Sequence, residues 1–206
     1  MMPVTGSAIQ TARLKMPDDA PPPLMVSLTV NEPGWRDIPL ETDLENFLET
    51  MARTAFLSAE IGCLTKAQMI DISLVLSNDE EIQGINAEYR GKKSPTNVLS
   101  FPQMTPEEIS GDTLNNVNFV PLGDVILSLE TILREAKEQN KEPDAHIAHM
   151  IVHGVLHLLG YDHENDSDAQ TMETLETFIL TGLGFEPPYT ETDNSKTRDT
   201  NEDAYG

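Results

Sequence analysis

The stretch HGVLHLLGYDH, residues 153–163, holds three of the chain's five histidines among residues that are otherwise mostly apolar. The spacing of these rings implies how the chain around them folds. His153 and His157 are four apart, which on a helix puts both on one face, about one turn or ~5–6 Å from each other. Two imidazoles so placed can meet one ion at ~2.0–2.1 Å, the zinc–nitrogen distance. Gly160 comes three residues later, and glycine accepts the positive φ on which many helices end. The chain can turn there and carry His163 back toward the other two. The pattern H-x-x-x-H-x-x-G-x-x-H therefore offers three neutral nitrogen donors. Three protein ligands leave a fourth position open, as a catalytic zinc site requires. A lone histidine on an apolar face is more often a satisfied core residue; three at this spacing, with glycine at the turn, favour an ion.

Metzincin proteases share this spacing on their histidine helix, but their first histidine is followed by Glu, the general base. Here that residue is Gly154, which argues against a peptidase. The histidine helix is expected to begin at Pro143 and end at Gly160, with a final helix from Ser167 to Leu183. Upstream, Val26, Leu28 and Val30 share one face of a strand. Ile70, Ile72, Leu74 and Leu76 share a face of a second. Two more strands are expected at NVLSF (97–101) and GDVILSL (123–129). Between them Leu44, Phe47, Leu48, Met51, Ala55 and Phe56 mark the buried face of a helix over 42–59. A second helix, from a Ser77 or Asn78 cap to Gly91, has Ile82, Ile85 and Tyr89 as its inner face. A third runs from Ser128 to Asn140. Residues 103–121 read as a long loop. This order predicts an α/β or α+β fold: a small mixed sheet of about four strands packed with helices.

The length of 206 residues suits one domain with tails. Residues 1–23 read as a disordered N-terminal extension, 24–186 as the single domain and 187–206 as an acidic disordered tail. The one cysteine, Cys63, allows no internal disulfide and reads as a small buried side chain in a reducing compartment. No apolar run nears the ~18 residues of a membrane span, so a cytoplasmic protein without a membrane partner is expected. The net charge of −22 opposes binding to bulk nucleic acid, and no DNA partner is expected. The charge is unevenly placed, however. Residues 164–206 carry eleven acids and two bases. Arg90, Lys92 and Lys93 gather in one loop, and Arg134, Lys137 and Lys141 lie along one helix, leaving room for a local basic groove.

Three segments together resemble a known family. HMIVHGVLHLLGYDH (149–163) is similar to the signature of the YbeY family, bacterial rRNA maturation factors described as single-strand-specific endoribonucleases. INAEYRGKKSPTNVLSFP (85–102) and LGDVILS (122–128) resemble two further motifs of that family, and the likeness covers about residues 25–185. It implies a mixed-sheet α/β fold, and one zinc ion per chain held by His153, His157 and His163. It implies a basic cleft whose important arginine falls on Arg90. It also implies action on single-stranded RNA in rRNA processing and ribosome quality control, with the small ribosomal subunit or its proteins as partners. Asn97 departs from the family's usual Asp, and both tails are additions.

RNA cleavage builds negative charge on phosphoryl oxygens, which a metal and an arginine can stabilise. Arg90 and His153 are therefore the expected catalytic residues, Arg90 gripping phosphate bidentately. Lys92 and Lys93 would guide the RNA backbone. His149, one turn before His153, would be a supporting group or a substrate contact. His146 reads as exposed, and Asp124 as a turn or cap residue. Two other functions compete: a non-catalytic ribosome-assembly factor stabilised by zinc, and a zinc hydrolase of another substrate.

Overall fold

The computed structural model of the chain describes residues 23–59, 64, 67, 69–110 and 117–189. Cys63 and most of the two expected tails, 1–22 and 190–206, lie outside the described residues. Among the described residues four strands, β1 (Leu24–Val30), β2 (Ile70–Ser77), β3 (Val98–Pro102) and β4 (Val120–Ser128), form one sheet in the order β1-β2-β4-β3. The pairs β1–β2 and β2–β4 are parallel, and β3 runs antiparallel to β4 at the edge. The fold is the mixed α/β arrangement that the alternation of apolar residues predicts. In β2, Ile70, Ile72, Leu74 and Leu76 are all fully buried, because successive strand side chains point to opposite faces.

Among the described residues there are also six α-helices: α1 (Leu44–Ser58), α2 (Asp79–Arg90), α3 (Pro106–Ser110), α4 (Leu129–Glu138), α5 (Pro143–Leu158) and α6 (Asp166–Gly182). Asp43 caps α1 by accepting from Asn46 N at 2.9 Å, and Asn78 caps α2 by accepting from Glu81 N at 2.9 Å. Such caps satisfy backbone donors that have no partner inside the helix. The side chain of Ser128 does not cap α4; Asp79 of α2 does so instead, accepting from Thr131 N at 3.2 Å and Thr131 Oγ1 at 2.6 Å. Glu130 of α4 returns the contact, accepting from Asp79 N at 2.9 Å. Two helix starts thus satisfy one another. The short turn Pro33–Asp37 buries Trp35, whose Nε1 donates to Ser77 O at 2.9 Å.

α5 is the central helix. It packs on β3, β4, α1, α4 and α6, which explains why a helix with so little polar surface is stable. It crosses the sheet over Val125 and Ser100, partners in the β4–β3 register. The crossing is close because residue 154 is glycine: a Cβ there would stand 2.5 Å from Val125 Cγ1 and 3.2 Å from Ser100 Oγ. Ser100 Oγ also donates to Gly154 O at 3.1 Å.

Several expectations need correction. The stretch 103–121 is not all loop: it contains α3, and β4 begins at Val120, so Asp124 lies inside a strand, opposite Phe101. Tyr89 is exposed, and the buried polar residue of α2 is Asn86; the aromatic ring serves instead as an edge-on neighbour of Phe101, centroids 5.3 Å apart. His146 is buried, since its Nε2 finds Glu135 Oε2 at 2.9 Å. Beyond residue 186, Pro188 is buried and Tyr189 half-buried.

Replacing Gly154 with Ala tests the crossing. In an ordinary helix interior this change stabilises by about 0.8–1.0 kcal/mol. Here forcing a methyl into a filled contact costs about 1–3 kcal/mol, and the second effect should win. A lowered urea midpoint with an unchanged slope is the expected result.

Candidate metal centre

α5 ends in a Schellman turn, with Gly160 N donating to His157 O at 3.0 Å and Tyr161 N to Leu156 O at 3.1 Å. Gly160 adopts φ +86°, a conformation L side chains rarely take, and Pro106 of α3 packs against it. This turn carries His163 back beside α5. The ring centroids of His153 and His157 are 4.6 Å apart, those of His157 and His163 5.2 Å, and those of His153 and His163 5.6 Å. One ring nitrogen from each lies within 4.8 Å of the others. The three rings read as a ligand set in the sequence are gathered at one point.

Behind them stands Glu176 of α6, fully buried. His153 Nδ1 lies 2.7 Å from Glu176 Oε1. An ionised carboxylate can only accept, so Nδ1 carries a proton, and in the neutral tautomer that follows Nε2 is a lone pair. That atom faces His157 Nε2 at 3.1 Å. Two ring nitrogens this close need a proton or a cation between them. Protonation is disfavoured: burial, then the neighbouring His153 and His163 rings, push His157 down to about 2. His163 is also lowered, by burial and then by His153. Neutral imidazoles are the form that binds metal, with no proton to displace. Two donors at ~2.0–2.1 Å from a tetrahedral zinc stand ~3.3 Å apart, close to what the rings present. The donor set fits a divalent ion.

Burial would raise the Glu176 carboxyl, but the adjacent His153 and hydrogen bonds from His149 and His153 outweigh it and hold the group well below the usual carboxylate range. Its Oε2 lies 3.2 Å from His149 Nε2 and also accepts from Tyr189 Oη. His149 itself is buried, which lowers its pKa against the pull of Glu176. Its imidazole supports the carboxylate. The group His149, His153 and Glu176 is a second set of potential ligands, but its 2.7 Å contact is already a hydrogen bond.

The basic residues form another group. Arg90 is the last residue of α2 and half-buried; Gly91, at φ 69°, turns the chain away. Lys92 N donates to Asn86 O at 3.3 Å, and Gln83 Nε2 donates to Lys93 O at 2.5 Å, shaping the connection into β3, the strand on which α5 packs. Asn97 ends this connection. Its Nδ2 donates to Glu135 Oε2 at 2.9 Å, and its Oδ1 accepts from Val98 N at 2.7 Å. An Asp there would set a second carboxylate against Glu135, so the amide suits its place. Sequence reading missed Glu176, Tyr189 and Glu135. Each is one acid or aromatic among many, and no local pattern singles it out.

Among the described residues no helix is long and apolar enough to cross a membrane. The chain is 42% identical over 170 residues to Endoribonuclease YbeY of Sinorhizobium medicae (strain WSM419), an alignment covering 81% of this chain and 95% of that one. It is 39% identical over 172 residues to Endoribonuclease YbeY of Rhizorhabdus wittichii, covering 82% and 100%. The solution structure of TM1509 from Thermotoga maritima superposes with a TM-score of 0.50 at 20% identity, over 86% of this chain and 97% of that one, a likeness of fold alone. The family model described as Endoribonuclease YbeY matches residues 36–184. By the family model and by relatives about 40% identical over most of its length, the chain belongs to the YbeY family.

Proposed function

We propose that this chain is a zinc-dependent endoribonuclease that cleaves single-stranded RNA during maturation and quality control of ribosomal RNA, in the cytoplasm and beside the small ribosomal subunit or its proteins. The observation that carries the reading is the pair of facing ring nitrogens on His153 and His157, with His163 beside them, in a chain whose relatives are named endoribonucleases. The catalytic unit is the single domain of residues 24–186 with the short segment that follows it; the remaining residues at either end are additions.

His153, His157 and His163 would hold one ion, and zinc suits three imidazoles by ligand type. An ion there supplies Lewis acidity toward a phosphoryl oxygen and lowers the pKa of water. The chain's own groups do the rest. Glu176 fixes the His153 tautomer, so that Nε2 is the donor atom. Arg90 binds a phosphate, its planar guanidinium matching two oxygens at once and opposing the charge that builds during cleavage. Lys92 and Lys93 draw the backbone toward it; in so acidic a chain a local cluster is what can offset the general repulsion. No carboxylate follows the first histidine, and the contacts of Gly154 with Val125 and Ser100 leave no room for one. Peptide hydrolysis of the metzincin kind has no base here.

Three outcomes check the reading. Purified protein should cut a single-stranded RNA, and both chelation and His153→Ala should abolish cutting; activity that survives both belongs to a contaminant and removes the proposal. Arg90→Ala should keep full metal content, measured by atomic absorption, and lose about 10²–10³-fold in kcat. Casein should remain intact under conditions that cleave RNA. Stoichiometric binding to small-subunit particles without turnover would instead favour an assembly factor.

A further inference from the structure

Tyr189 follows α6 by a short connection containing two prolines, and its side chain returns to the histidine helix. Its hydroxyl donates to Glu176 Oε2 and lies 3.2 Å from His149 Nε2. Its ring stands edge-on to His149, centroids 5.3 Å apart. The segment is anchored along its length. Phe185 packs edge-on against Phe47 of α1 at 6.5 Å. Lys141 Nζ, in the turn before α5, donates to Pro188 O at 2.8 Å. Residues 185–189 thus form a strap over one end of the domain, bordering a cavity of about 600 Å³ that His149 also lines.

Simple packing of an aromatic ring does not require the hydroxyl to meet the fully buried carboxylate of Glu176. We propose that Tyr189 is a positioning residue for the metal centre: together with His149 it holds Glu176 Oε2, so that Oε1 is presented to His153 Nδ1. The strap thereby ties residues 185–189 to the ion-binding tautomer of His153. The physical reason is the division of labour between the two oxygens. Among the described residues Oε1 meets His153, while Oε2 takes two donors that fix the plane of the carboxylate. Without the hydroxyl, one side of that plane is released and the hold on the His153 ring loosens. Hydrogen-bond partners of metal-ligating histidines act in this way elsewhere, and removing them weakens metal binding. The inference rests on the metal reading above.

The test is zinc affinity in the full chain, measured by competition with a chromophoric chelator, for the wild type, Tyr189→Phe, Glu176→Gln and the double variant. Phenylalanine keeps the ring packing and removes only the donor. Tyr189→Phe should weaken zinc about tenfold, and the double variant should bind no more weakly than Glu176→Gln alone, because both changes break the same link. Unchanged affinity in Tyr189→Phe, or fully additive losses, would overturn the proposal. Should the variants fold poorly, ¹H–¹⁵N spectra of the zinc-loaded wild type decide instead. His153 must carry its proton on Nδ1, in a signal coupled to the Tyr189 ring environment; a proton on Nε2 overturns it. A wild-type chain that binds no zinc fails the metal reading itself, whereas zinc binding indifferent to Tyr189 fails this inference alone.

Discussion

An ionised carboxylate without solvent exposure is costly unless every oxygen is answered, and Glu176 is such a group. Its bond from His153 Nδ1 is the contact on which the rest of the site depends. The bond assigns the proton of that imidazole, and the assignment leaves a lone pair facing His157. From there burial keeps the neighbouring rings neutral, and three donors are left around one point. The carboxylate in turn is held by His149 and by Tyr189, so elements separated in the chain, α5, α6 and the strap, share one buried charge.

The same helix must satisfy two demands. One face of α5 presents His153 and His157, and the adjoining position has to lie against the sheet. Glycine at 154 reconciles them by letting the helix backbone approach Val125 and Ser100. That choice also governs chemistry, because a position occupied by the sheet cannot carry a general base. The chain shares a histidine spacing with metzincin proteases while lacking their catalytic carboxylate, and packing supplies the reason.

Charge follows a comparable division. The chain is strongly acidic overall, yet Arg90, Lys92 and Lys93 gather where α2 gives way to β3. A local cluster of one sign can set up a field opposite to that of the rest of a small molecule. Asn97 closes this basic segment and shares Glu135 with His146. Its amide prevents two carboxylates from meeting there.

Much of the molecule was readable along the chain. The period of two in Ile70–Leu76, the capping side chains at 77–78, and the glycine three residues beyond His157 are local signals, and local backbone preferences obey them. The three-histidine cluster was legible for the same reason: a helical turn and a glycine turn bring its members together without help from distant residues. Glu176, Tyr189 and the burial of His146 were not. Their roles arise from how α6, the strap and α4 pack against α5, across separations of 11 to 40 residues. An acid on α6 looks like Asp166, Asp168 or Glu173 until another helix covers it. Spacing along one element specifies which side chains share a face; which face is buried, and what polar partner waits there, follows only from the meeting of elements.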